Sequence, residues 1–184
     1  MSKPTTHYEK GSMTSNEQTW VFGYGSLIYK VDFPFIQRRP ASITGWQRRF
    51  WQGSHDHRGT PNAPGRVVTL IPCPDSICRG MAYLIDHTVF EHLDYREKNG
   101  YQRHPVAMKI DGETNTTQGV TYVAREDNHA YLGPAKIEEV ASHIAGSSGP
   151  SGSNTEYVLK LAHALRELDE HDPHVHALET LLTT

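Results

Sequence analysis

Val21-Phe22-Gly23-Tyr24-Gly25-Ser26-Leu27 carries an apolar, β-type run into a turn punctuated by two glycines. Glycine lets a backbone approach a ligand closely and take φ > 0, so that successive N–H groups can converge on one anionic group. The stretch reads as a small-molecule cradle at the end of a strand, with an ordinary tight turn as the alternative. It is neither a Walker loop, because no Gly-Lys-Ser/Thr follows, nor a dinucleotide fingerprint, because the third glycine is missing.

Working outward, strand-like runs follow at residues 48–52, 67–71, 80–85, 105–110 and 119–124. Each is short, carries β-branched or aromatic residues, and is bounded by Gly, Pro or Asp. Residues 55–65 form a loop longer than a simple connector. Helical signals come later. Pro134 can open a helix that places Ile137, Val140, Ala141 and Ile144 on one face and ends at Gly146. Ser153 and Glu156 make a capping box ahead of Tyr157, Val158, Leu161, Leu165 and Leu168, and Asp172-Pro173 opens a last short helix. Strands followed by helices predict an α+β domain with a mixed sheet, and about six short strands suffice for a small β-barrel.

The chain has 184 residues, which suits one domain, here expected over 19–184 behind a polar, disordered leader over 1–18. A formal net charge of −3 offers no electrostatic case for nucleic-acid binding. Cys73 and Cys78 are too few for a disulfide framework and lack companions at metal-ligand spacing, so they read as incidental thiols of a reducing cytosol. No run approaches the ~20 apolar residues of a membrane span, and the N-terminus has no secretory apolar core. The expectation is a soluble, cytoplasmic protein. The pair His55 and His57 and the cluster His171, His174 and His176 have no carboxylate or thiolate to complete a metal set. Around Arg48-Arg49, alternation along a strand, apolar residues in and Arg out, is favoured over a basic–aromatic nucleic-acid patch. Ser26 lacks a nucleophile elbow.

Residues 86–97 carry the clearest chemical signal. Asp86 or Thr88 can cap a helix whose apolar residues are Val89, Phe90 and Leu93. Positions i, i+3 and i+7 share a face, which brings Glu97 into line with Phe90 and Leu93 on the apolar side. A carboxylate there is partly desolvated, which raises its pKa and suits it to acid–base work near neutrality. The alternative is a helix-end Glu that reaches solvent or pairs with Arg96, Lys98 or Arg103.

From about Trp20 to Leu182 the chain resembles a ChaC-type γ-glutamylcyclotransferase of the glutathione-specific branch. The landmarks are Val21-Phe22-Gly23-Tyr24-Gly25-Ser26-Leu27-Ile28, Arg49-Phe50-Trp51-Gln52-Gly53-Ser54 and Pro64-Gly65-Arg66-Val67-Val68-Thr69-Leu70. Leu93-Asp94-Tyr95-Arg96-Glu97-Lys98, Tyr131-Leu132-Gly133-Pro134-Ala135 and Asn154-Thr155-Glu156-Tyr157 follow in order. The resemblance implies a small mixed β-barrel with flanking helices. It also implies cleavage of glutathione into 5-oxoproline and cysteinylglycine, with no metal or nucleotide cofactor. By the same likeness the catalytic carboxylate falls on Glu97, and the substrate cradle on Val21, Phe22, Gly23, Tyr24, Gly25, Ser26 and Leu27. Tyr131 matches a pocket tyrosine. Tyr29 departs from the pattern, since a Trp is usual there. Two rival readings remain at this stage, another γ-glutamyl amine or dipeptide as substrate, and a non-catalytic glutathione-binding module.

Overall fold

Two long strands frame the molecule. In the computed structural model, which describes residues 17–184, β2 (Gln37–Ser54) and β3 (Gly65–Asp86) pair antiparallel from Gln37 opposite Leu84 to Ser54 opposite Gly65. Register shifts between Thr44 and Trp46 and between Arg49 and Gln52 mark bulges, which bend a strand and increase its twist. β1 (Gln18–Gly23) pairs antiparallel with β3 on the other side. β4 (Tyr101–Ile110) pairs with β2, and β5 (Thr117–Ala124) with β4. A parallel pairing of β5 with β1 closes a barrel of order β1-β3-β2-β4-β5. Closure removes the exposed sheet edges that an open sheet of this kind would carry.

The barrel has five strands rather than about six, because residues 67–71 and 80–85 belong to one strand. Pairing with β2 holds on both sides of Cys73-Pro74-Asp75-Ser76, with Pro72 opposite Trp46 and Ile77 opposite Thr44, so these four unpaired residues bulge within one strand. The first half of β2 is the reverse case, since Pro40 and Gly45 look like breakers. The Pro40 carbonyl nevertheless accepts a bond from Asp111 N, and Gly45, at φ +91, sits in the bulge. The expected leader lies outside the described residues except for its last two, of which Gln18 opens β1.

Four helices flank the barrel: α1 (Phe90–Arg96), α2 (Ile137–Ala145), α3 (Asn154–Glu167) and α4 (Pro173–Thr183). Their starts follow from short polar side chains. Asp86 accepts from Thr88 N in a 3-10 turn that leads into α1, Ser153 accepts from Glu156 N, and Asp172 accepts from Val175 N with Pro173 in the first turn. Pro134 lies ahead of α2, whose N-cap is Lys136, and Gly146 ends that helix. Val140, Ile144, Val158, Leu161, Val175 and Leu178 join barrel residues such as Phe22, Phe50, Leu70 and Tyr83 in one buried core. None of the described helices is long and apolar enough to cross a membrane.

Candidate active site

Gly23 ends β1 opposite Met81, and Gly25 precedes the 3-10 turn Ser26–Ile28. The turn is closed by Ile28 N donating to Gly25 O at 3.0 Å and Tyr29 N to Ser26 O at 3.1 Å. Neither glycine has positive φ, so the expectation based on conformational freedom is corrected. What these positions require is space. A Cβ on Gly23 would lie 2.6 Å from Leu27 Cβ, and one on Gly25 would lie 2.8 Å from Val68 Cγ2 and 3.1 Å from Tyr157 Oη. Among the described residues the backbone N–H groups of Gly25, Ser26 and Leu27 make no hydrogen bond, as expected at the start of a helical turn.

Residues 22–27 form one wall of a pocket of about 380 Å³, and Val68, Glu97, Tyr101, Tyr122 and Tyr157 form the rest. Glu97 is the residue that ends α1. Its N–H donates to Leu93 O at 2.9 Å, and its carbonyl accepts from Tyr101 N at 3.2 Å, so both sides of its backbone are anchored. Phe90 and Leu93 are buried in the core, and their helical face carries the Glu97 side chain, 19% exposed, to the pocket. Burial pushes its carboxyl up to about 7. Arg96, with Nε 3.9 Å away, opposes that rise, while Asp32 and Asp56 add to it. Arg96 is bonded at Nη1 to Asp32, which absorbs much of its charge. A carboxyl so placed is divided between acid and base near neutral pH.

The tyrosines around it are neutral acceptors. Tyr24 Oη donates to Tyr122 O at 2.5 Å, and Tyr101 Oη to Val68 O at 2.7 Å. Burial drives both phenols well above their usual range. With their protons committed, their lone pairs are what remains for a ligand ammonium. A wider cleft of about 930 Å³ shares Ser26, Glu97, Tyr101 and Tyr157 with the pocket and extends toward Tyr29 and Arg58.

The structure brings Phe22, Gly23, Tyr24, Gly25, Ser26 and Leu27 together with Glu97. Val21 and Tyr131 stand apart. Val21 is fully buried in the core, and Tyr131 is held in an isolated bridge to Gln52; neither lines the pocket or the cleft. Reading along the chain missed Tyr101, Tyr122 and Tyr157, which look like ordinary strand and helix aromatics. It also misplaced Arg48, which is 1% exposed rather than pointing out. Arg48 Nε donates to Tyr24 O at 2.7 Å and Nη1 to Asp172 Oδ2 at 2.8 Å, while Nη2 bonds Arg79 O. It ties the backbone of the cradle to the cap of α4. The described residues contain no group of three or more His, Cys, Asp or Glu placed to share a metal ion.

The sequence model of the family described as ChaC-like protein matches residues 19–184. The chain is 43% identical to gamma-glutamylcyclotransferase 2-3 of Arabidopsis thaliana over 167 residues, covering 85% of this chain and 84% of that protein. It is 38% identical to the glutathione-specific gamma-glutamylcyclotransferase of Saccharomyces cerevisiae, covering 83% and 88%. The crystal structure of a selenomethionine-labelled γ-glutamyl cyclotransferase specific to glutathione from yeast superposes with a TM-score of 0.85 at 34% identity, over 91% of this chain and 96% of that one. A γ-glutamyl cyclotransferase structure at 13% identity and TM-score 0.55 shares the fold. Sequence and architecture thus agree over nearly the whole described chain, and the protein belongs to the ChaC-like family.

Proposed function

We propose that residues 19–184 form one catalytic domain, a glutathione-specific γ-glutamylcyclotransferase in which Glu97 is the acid–base group. The single observation that carries this reading is the raised Glu97 carboxyl in the pocket wall that faces the glycine cradle. The relatives' names supply the substrate class.

In a γ-glutamyl compound the α-amine can close on the γ-carbonyl carbon to give a five-membered ring. The reaction is intramolecular, so a large part of its entropic barrier is already met by the substrate. The α-ammonium, with a pKa of about 8 in model peptides, must first lose a proton. Glu97 as carboxylate takes it. The amine nitrogen then forms its bond to the γ-carbon and sheds a second proton, and the bond to the cysteinyl nitrogen breaks. The leaving amine departs as an ammonium, with the proton that Glu97 returns and the one the ring nitrogen shed. The products are 5-oxoproline and cysteinylglycine, and no water is consumed. The N–H groups of Gly25, Ser26 and Leu27 supply donors for the negative charge of the glutamyl half, and the Tyr24 and Tyr101 oxygens supply acceptors for its ammonium. Written this way, the chemistry calls for no metal or nucleotide. A cytoplasmic setting, where glutathione and thiols such as Cys73 and Cys78 stay reduced, fits the reading.

The test is to incubate purified protein with reduced glutathione in EDTA and follow both products by mass spectrometry. Both are expected from the wild type and neither from Glu97→Gln. Folded wild-type protein that binds glutathione without forming product would overturn the enzyme reading in favour of a binding module. Turnover of other γ-glutamyl compounds in its place would overturn the specificity alone.

A further inference from the structure

The cleft joins the pocket at Ser26, Glu97, Tyr101 and Tyr157, so a substrate whose glutamyl half fills the pocket sends its other half into the cleft. Two groups in that cleft have unused binding capacity. Tyr29 Oη is buried, and its proton finds no acceptor among the described residues. A buried hydroxyl left so is costly, and a ligand that accepts its proton recovers the loss. Its ring is set edge-on to Tyr157, with centroids 6.5 Å apart. The Arg58 guanidinium lies over the Tyr157 ring at 5.6 Å and is 7% exposed. Its Nη1 is bonded to Ser153 O at 3.0 Å and to Glu156 Oε2 at 2.8 Å, and the guanidinium also stands against the Tyr29 hydroxyl.

The charges around Arg58 leave it a surplus. Glu156 is shared between Arg58 and Lys160, which stands 3.0 Å away, so two cations face one anion. Besides Glu97, the cleft's carboxylates are Asp32, which is taken by Arg96, and Asp56, which lies 3.7 Å from His57. Burial pushes the Tyr29 phenol up to about 12 while the charge and a hydrogen bond of Arg58 oppose the rise, so the hydroxyl keeps its proton as a donor. A phenol donor and a guanidinium set about one aromatic ring form a carboxylate-recognising pair.

Building on the cyclotransferase reading, we propose that Tyr29 and Arg58 form a leaving-group subsite that holds the terminal carboxylate of the cysteinylglycine half. This makes the cleft the source of discrimination beyond the γ-glutamyl group. Tyr29 is a binding residue here and takes no part in the proton transfers.

The test compares glutathione with glutathione ethyl ester, in which the glycine carboxyl is blocked, by initial rates of 5-oxoproline release from the full-length protein. The wild type is expected to favour glutathione by about tenfold or more in kcat/KM, the range of a hydrogen bond to a charged group. Tyr29→Phe keeps the ring packing, and its preference is expected to fall to within about threefold, through a raised KM for glutathione. Equal use of both substrates by the wild type, or an undiminished preference in Tyr29→Phe, would overturn the subsite while leaving the cyclotransferase reading intact. No 5-oxoproline from either substrate with folded wild-type protein would overturn both.

Discussion

Glu97 has a backbone anchored on both sides and a carboxyl that burial raises to about 7. As a base it must be ionised to start the reaction, so kcat/KM for glutathione is expected to rise with pH along an acidic limb centred near 7. A limb centred near the ordinary glutamate value of 4.5 would remove Glu97 from that role. Glu97→Gln is expected to lower kcat by about 10²–10⁴-fold. The same substitution carries a stability signature. The folded carboxyl titrates near 7 against 4.5 when free, so between those values the folded state holds more protons than the unfolded one. Stability from the buried acid form is complete below 4.5 and gone above 7. Glu97→Gln, which cannot ionise, is therefore expected to be more stable than wild type at pH 8, by about 2–3 kcal/mol in urea unfolding.

At the scale of elements, Arg48 does the joining. A single buried guanidinium from β2 bonds the cradle carbonyl of Tyr24, the β3 carbonyl of Arg79, and Asp172 at the N-cap of α4. Burial would raise Asp172, but the Arg48 charge and hydrogen bond hold it below the usual carboxylate range. Removing one partner of such a pair leaves a buried charge uncompensated, and Arg48→Ala is expected to cost about 3–5 kcal/mol. Adding Asp172→Asn should recover part of that loss, because the amide carries no charge to strand; urea unfolding of the three variants checks this. If the double variant is no better than Arg48→Ala, the bonds to Tyr24 and Arg79 outweigh the ion pair.

Over the whole molecule, two buried titrating groups set opposing pH slopes. His174 Nε2 accepts from Phe50 N at 3.1 Å, linking α4 to β2, and burial, with help from Arg49, lowers its imidazole to about 4. A neutral His174 is part of the fold, so its contribution is complete above about 6.5 and lost as pH falls toward 4. Between 4.5 and 6.5 Glu97 pulls the other way. Melting temperatures of Glu97→Gln are therefore expected to climb more steeply with pH across that window than those of the wild type. Adding His174→Gln should flatten the climb, and an unchanged slope would show that His174 is not its source.

Much of this molecule was legible along the chain because local rules govern it. Ser153 and Asp172 cap where short polar side chains precede apolar helical runs. Helical phase alone put Glu97 on the face of Phe90 and Leu93, where burial raises its pKa. The turn after β1 stood out by its glycines, though the reason for them is a close approach by Val68 and Tyr157, which lie far along the chain. Long-range pairing decided the rest. It merged two runs into β3 across Cys73-Pro74-Asp75-Ser76, closed the barrel with five strands, and buried Arg48 against partners at Tyr24, Arg79 and Asp172. It also gathered Tyr101, Tyr122 and Tyr157 around Glu97 and left Tyr131 outside. The sequence by itself determined the helix caps and the placing of Glu97 on the face of Phe90 and Leu93, since each depends on neighbours within a turn or two. Only the tertiary structure decided strand count, the tyrosine walls and the cleft beyond them, since those depend on residues brought together by barrel closure.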